Sequence, residues 1–305
     1  MATVPTTSAS TSGGPARSGR RALLLGLCAL AVSPGAAQAV LGPRVAALDW
    51  ASALNLLHLG ITPIVAPEKM RYATFVVDPP LPESVVEIGL RAEPSLELLN
   101  RLKPDIVVMN EELVALEPRV AHIAPVLRFQ PLARGKGIDQ LTHGLTTLMM
   151  LASELGVSDR ARKFEADLDA GMARARLRLK DYDGRPLYLA TLLDPGRCLI
   201  FANNSLYQSV LDRLGLDNAW LGAGSAFGHL TVTLDTLTDS DARLVTIGDL
   251  ALVKAALAMR LPVLSSLPAV AAARVAPIDQ SLFYGGAPAA LRFAEQLSIG
   301  LQKKT

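Results

Sequence analysis

Cysteine is nearly absent from this chain. Its 305 residues hold two, Cys28 and Cys198, and Cys28 lies in a leader that is expected to be removed. A single remaining thiol excludes an internal disulfide, so packing has to hold the fold together. The signatures of common enzyme chemistry are missing as well. There is no G-x-S-x-G elbow, no glycine-rich phosphate loop, no H-E-x-x-H and no C-x-x-C. Beyond the leader no apolar run approaches the ~20 residues that a spanning helix needs. Aromatic residues make up only 5% of the chain, so the few outside periodic core positions are worth following.

Residues 1–39 contain no acidic residue. Arg20-Arg21 opens an apolar run of about eleven residues and Ala37-Gln38-Ala39 closes the segment, the layout of a twin-arginine export signal with an A-x-A cleavage site. Cleavage after Ala39 and release into the periplasm are expected. Arg17, Arg20 and Arg21 leave with the signal, so 30 basic against 28 acidic residues become 27 against 28, and the net charge passes from +2 to −1. The apparent basicity belongs to the leader, and nothing in the mature chain suggests a nucleic-acid surface.

From Arg44 onward, apolar strands alternate with amphipathic helices. Residues 44–48 and 61–65 read as strands flanking a helix over 51–59 that Gly60 stops. Ser95 caps a helix whose Leu98, Leu99 and Leu102 share one face, and Ile106-Val107-Val108-Met109 is a strand buried on both sides. The grammar then repeats. Residues 95–109 match 233–247 without a gap, Thr233 standing for Ser95, and Leu59-Gly60-Ile61 matches Leu214-Gly215-Leu216. Between the halves, residues 138–182 are strongly helical, interrupted at Gly156-Val157 with Ser158 as a candidate new cap. The expected fold is therefore α/β: two lobes, residues 40–137 and 183–305, joined by a rigid helical connector.

Candidate chemistry sits at strand ends and in loops. Glu111-Glu112 follows the strand ending at Met109, where ligands collect in open α/β sheets. Arg91, in a loop before the capped helix, either forks onto anionic oxygens or makes an ion pair. Trp50 follows the first strand, and Phe75, Phe227 and Tyr284 fall outside the periodic core positions. With Arg91 they outline a half-apolar groove between lobes for a bulky ligand. His58 and His143 read as helix-surface or packed residues. His122 and His229 with Glu112 form a metal site only if the fold converges them.

The blocks Asp78-Pro79-Pro80-Leu81-Pro82-Glu83-Ser84-Val85, Gly89-Leu90-Arg91-Ala92-Glu93-Pro94 and Leu193-Asp194-Pro195-Gly196-Arg197 carry a resemblance, as do Asn204-Ser205-Leu206-Tyr207, Asn218-Ala219-Trp220 and Phe283-Tyr284-Gly285-Gly286-Ala287. The chain resembles the periplasmic ferric-hydroxamate siderophore-binding proteins of Gram-negative bacteria, the partners of inner-membrane ABC importers. The resemblance implies two α/β lobes joined by one long helix, a ferric siderophore as ligand, iron held by the siderophore and no cofactor of the protein's own. It implies that Arg91 meets the hydroxamate oxygens and that Trp50 and Tyr284 wall the pocket. Phe75, Phe227 and Leu282 stand at tryptophan positions, and Leu113 replaces a tyrosine whose hydroxyl holds the ligand. Glu97 and Asp235, each expected in the first turn of a capped helix, match acids that meet arginines of the importer. A monomer is expected. Another chelate, carboxylate siderophore or corrinoid, and an exported metal-dependent enzyme using His122, His229 and Glu112 are the alternatives.

Overall fold

In a computed structural model, residues 42–302 are described except 136, 249 and 261, without the side chains of 250–253. The export signal, its cleavage site and Cys28 lie outside the described residues. From Gly42 on, the chain is one compact unit built around two five-stranded sheets.

The first sheet is wholly parallel, in the order β3-β2-β1-β4-β5. It takes β1 (Val45–Ala47), α1 (Trp50–His58), β2 (Val65–Ala66), α2 (Lys69–Phe75), β3 (Val86–Glu87), α3 (Leu96–Leu102), β4 (Ile106–Met109), α4 (Glu117–Val120) and β5 (Val126–Arg128). A 3-10 turn, Glu111–Leu116, leads from β4 into α4. The expected strand at 61–65 is reduced to the two residues of β2: Ile64 N donates to Val45 O and its carbonyl accepts from Val86 N, but paired residues begin only at Val65. Two helices follow, α5 (Gln140–Glu154) and α6 (Ser158–Arg178). The second sheet has the order β10-β9-β6-β7-β8, with β6, β9 and β10 parallel and β7 and β8 antiparallel. It is made of β6 (Leu187–Asp194), β7 (Arg197–Phe201), α7 (Leu206–Leu214), β8 (His229–Thr233), β9 (Arg243–Ile247), α8 (Leu250–Ala258), α9 (Pro262–Ser265), α10 (Pro268–Ala271), β10 (Val275–Ile278) and α11 (Ala287–Gln302).

Local chemistry accounts for the boundaries. Asp49 caps α1 by accepting from Ser52 N at 2.9 Å, Ser95 caps α3 through Leu98 N at 3.2 Å, and Ser205 caps α7 through Gln208 N at 3.1 Å. Gly60 and Gly215, the two matched stop residues, both take left-handed backbone, φ +67° and +70°. The helical connector is two helices, α5 and α6, broken at Gly156-Val157 as the sequence indicates. Ser158 is not its second cap, since it is already the first residue of α6 and Val157 before it has no side chain able to cap. The repeat keeps its strand, β4 matched by β9, but not its opening helix. Where Ser95 opens two turns of α-helix, Thr233 opens only a 3-10 turn, Leu234–Thr236, and its side chain makes no capping bond.

One core joins the halves. Val45 and Val108 of the first sheet, Val245 and Ile247 of the second, and apolar faces of α1, α5, α6, α7 and α11 belong to a single buried cluster. Leu141, Leu148, Leu151, Phe164, Leu168 and Met172, the stripes read from sequence, all lie in it. Smaller clusters cover the outer faces of the sheets. At Gly144 of α5 a Cβ would stand 2.9 Å from Ala287 N, so only glycine lets α5 meet the start of α11 this closely.

Candidate functional site

Arg91 lies in the loop that follows β3, pinned by a bridge between Gly89 and Pro94. Its Nε donates to Glu68 Oε2 and its Nη1 to the Tyr284 hydroxyl, each at 2.7 Å. Its guanidinium lies 3.7 Å from the centroid of the Trp50 ring. Glu68, only 8% exposed, also accepts from Arg71 at 3.2 Å. The arginine is therefore held flat by an acid, a phenol and an indole from three separate stretches of chain. Burial raises the Tyr284 phenol and, with Arg91 opposing, keeps it protonated at neutral pH.

Behind this group sits Asp49, fully buried. Burial pushes its carboxyl up, while Ser52 N and Oγ and Asn110 N donate to it. It joins the carboxyl end of β1 to that of β4, and Asn110 in turn accepts from Glu112 N at 3.1 Å. The edge of the site is thereby tied to the parallel sheet.

A cavity of about 280 Å3 opens beside Arg91, between Asn110, Glu112 and Gln130 on the first sheet's side and Phe227, His229, Phe283 and Tyr284 on the second's. Gly228, between Phe227 and His229, has φ +77°, and a Cβ there would meet Ser205 Cα at 2.4 Å, so the tight turn presenting these rings requires glycine. The His229 ring stands against Phe283, Phe201 and Phe227, and burial lowers its basicity. A second cavity, about 520 Å3, is also lined by Arg91, together with Glu68, Arg71, Glu112 and Leu113.

Arg91, Phe227 and Tyr284 come together as the sequence suggested, with Leu113 in the adjoining cavity. Three expectations change. Trp50 is 3% exposed, bonded through Nε1 to Pro67 O and covered by Arg91 and Phe75, so it supports the arginine instead of forming an open wall. Phe75 is the last residue of α2 rather than a loop residue, and it borders a different, apolar cavity with Leu192, Leu193 and Met259. Leu282 is 3% exposed within the shared core and lines none of these cavities. Glu97 on α3 and Asp235 in its 3-10 turn are both exposed, but only Glu97 sits in a capped α-helix.

Among the described residues no three His, Cys, Asp or Glu side chains gather closely enough to hold a metal. His122 bonds the Pro118 carbonyl on an exposed turn, away from the cavity that His229 and Glu112 share. His58 packs edge-on against Phe164 and His143 faces the Gln130 carbonyl, as packed residues. Cys198 is fully buried and its thiol is pushed up to about 12 by desolvation. Sequence reasoning missed Glu68, the partner of Arg91, which no motif marks. It also left Asn110 and Gln130 unremarked.

A family model for periplasmic binding proteins matches residues 45–282. The chain belongs to that family. It is 33% identical over 288 residues to the iron(3+)-hydroxamate-binding protein FhuD of Escherichia coli, covering 91% of this chain and 96% of that protein. A probable siderophore-binding lipoprotein, YfiY, of Bacillus subtilis is 26% identical over 176 residues, 56% of this chain and 51% of that one. Among solved structures, the Fe3+–Desferal-bound siderophore-binding protein FhuD from Vibrio cholerae superposes with a TM-score of 0.79 at 26% identity, over 85% of this chain and 98% of that one. The relatives are substrate-binding proteins, and this chain is a binding protein rather than an enzyme.

Proposed function

We propose that this protein captures a ferric siderophore of the hydroxamate type between its two lobes and delivers it to an ABC importer in the inner membrane. The iron stays in its chelator, and the protein supplies a shaped surface with a few fixed donors. The observation that carries this reading is Arg91. A planar guanidinium, oriented by Glu68 and Tyr284 at 2.7 Å each, faces a cavity with walls from both sheets. Its remaining N–H groups suit the paired oxygens of a hydroxamate. Phe227, Phe283 and Tyr284 supply apolar contact for the chelator's arms. The relatives, one named as hydroxamate-binding and one solved with Fe3+–Desferal bound, point the same way.

Export through the twin-arginine signal places the protein in the periplasm, next to such an importer. Glu97 and Asp235, exposed on separate sheets' flanks, serve in this reading as its docking acids. The test is titration of the purified mature chain with ferric hydroxamates, ferric citrate and a corrinoid, read by quenching of its two tryptophans, Trp50 and Trp220. Saturable quenching by ferric hydroxamates alone is expected. Saturation only by the corrinoid or by citrate overturns the reading.

A further inference from the structure

The site carries two signs of charge, and only one of them is used by the reading above. Glu112 is the second residue of the 3-10 turn after β4. Its backbone is fixed by Asn110, which is itself bonded to buried Asp49. The residue is exposed, borders both cavities that Arg91 lines, and has no ion-pair partner among the described residues. Arg91 does not need it as a counter-ion, because Glu68 already bonds the guanidinium at 2.7 Å. Arg71 is paired with Glu68 as well, and Arg134 lies over the Phe227 ring at 5.1 Å. On the opposite wall stand the Tyr284 phenol and the His229 imidazole, neither of them positive at neutral pH. Arg91 and Arg71 thus share Glu68, and Glu112 is the exposed carboxylate at these cavities that no cation pairs among the described residues. Glu112 offers a carboxylate at the mouth of a half-apolar cavity, where screening is weaker than in open water.

We infer that Glu112 is a ligand-binding residue that takes a cationic arm, an ammonium group, of a chelate whose metal-binding oxygens face Arg91. The inference rests on the ferric-chelate reading and narrows its ligand to hydroxamates that carry a free positive charge. A neutral chelate gains nothing from Glu112, and a polyanionic one is repelled by it. The apparent solvated acidic loop becomes the charge filter of the pocket.

Two probes that differ by one charge test this: the iron complex of Desferal, a linear trihydroxamate with one free ammonium, and the same complex N-acetylated. At low salt the full mature protein should bind the ammonium form about three- to tenfold more tightly, the scale of one partly screened charged contact. The gap should close in about 0.5 M salt. Glu112→Gln should bring the two within about twofold by weakening the ammonium form alone. Glu111→Gln should keep the gap, because Glu111 borders a different cavity, along β5 and α5. Equal binding of both probes by the unmodified protein, a gap that survives in Glu112→Gln, or a gap lost equally in Glu111→Gln overturns the assignment to Glu112 while leaving chelate capture standing. Failure of both probes and every other ferric chelate to bind overturns the chelate reading and this inference with it.

Discussion

Arg91 contacts three distant parts of the chain, and that arrangement fixes what its replacement should do. Its side chain is one-third exposed, so part of the charge remains available to a ligand while Glu68 and Tyr284 hold the plane. Arg91→Ala removes the forked donor and leaves Glu68, 8% exposed, with only Arg71 as partner. Affinity for ferric hydroxamates should fall by about 1.5–3 kcal/mol, roughly ten- to hundredfold, in a tryptophan-quenching titration. Unchanged affinity would remove Arg91 from the binding surface. The position of this arginine was legible from its loop placement and from the Gly89-Leu90-Arg91 block. Its partners were not, because Glu68 and Tyr284 lie 23 and 193 residues away and no spacing rule connects them.

Among the elements, α5 shows how a local cap becomes a tertiary contact. Asp139 accepts from Leu141 and Thr142 N and from Thr142 Oγ1, and Arg213 at the end of α7 donates to it at 2.8 Å. Partial burial opposes its charge, but the Thr142 and Arg213 bonds prevail and bring its pKa down to about 2 from 3.8. A lowered acid stabilises the fold above its unfolded value and loses that contribution as pH falls through its folded value. Asp139→Ala should therefore cost about 1 kcal/mol of folding stability at neutral pH, chiefly the lost cap, since the exposed ion pair adds little. By chemical denaturation the deficit should be full above pH 3.8 and fade as pH falls toward about 2. A deficit that does not change with pH would show that the carboxylate's charge is irrelevant.

The same scale holds the proposed docking acids. Glu97 in the first turn of α3 complements a helix N-terminus, worth only ~0.3–1 kcal/mol, and Asp235 in its 3-10 turn has even less helix to complement. Reversing both to lysine should leave chelate binding and melting temperature nearly intact while abolishing siderophore-dependent growth. Normal growth of cells carrying only the double variant would discard the docking role.

For the whole molecule, the decisive feature is the shared core. Residues of both sheets pack into one cluster with α1, α5, α6, α7 and α11, and α11 lies along α6. Opening the lobes by a large hinge would expose apolar surface at about 25 cal/mol per Å2 and break backbone bonds in α6, a helix of 21 residues. Ligand binding should therefore leave the radius of gyration, about 18 Å for a chain of this size, unchanged within error in small-angle scattering. A clear contraction on adding a ferric hydroxamate would contradict the rigid core.

Runs such as Ile106-Val107-Val108-Met109, the cap Ser95, the stop glycines 60 and 215 and the helical stripes between the halves were determined by sequence alone. Each is a local rule of period, capping or backbone freedom, satisfied within a few residues. The tertiary structure decided which side chains share a space. It buried Leu282, turned Trp50 into the floor beneath Arg91, kept His122 apart from His229, and set Glu112 at the mouth of the cavity. Periodicity tells which face of an element is apolar. Which neighbour that face meets depends on how two sheets and five helices close on one core, and that is a property of the packed molecule.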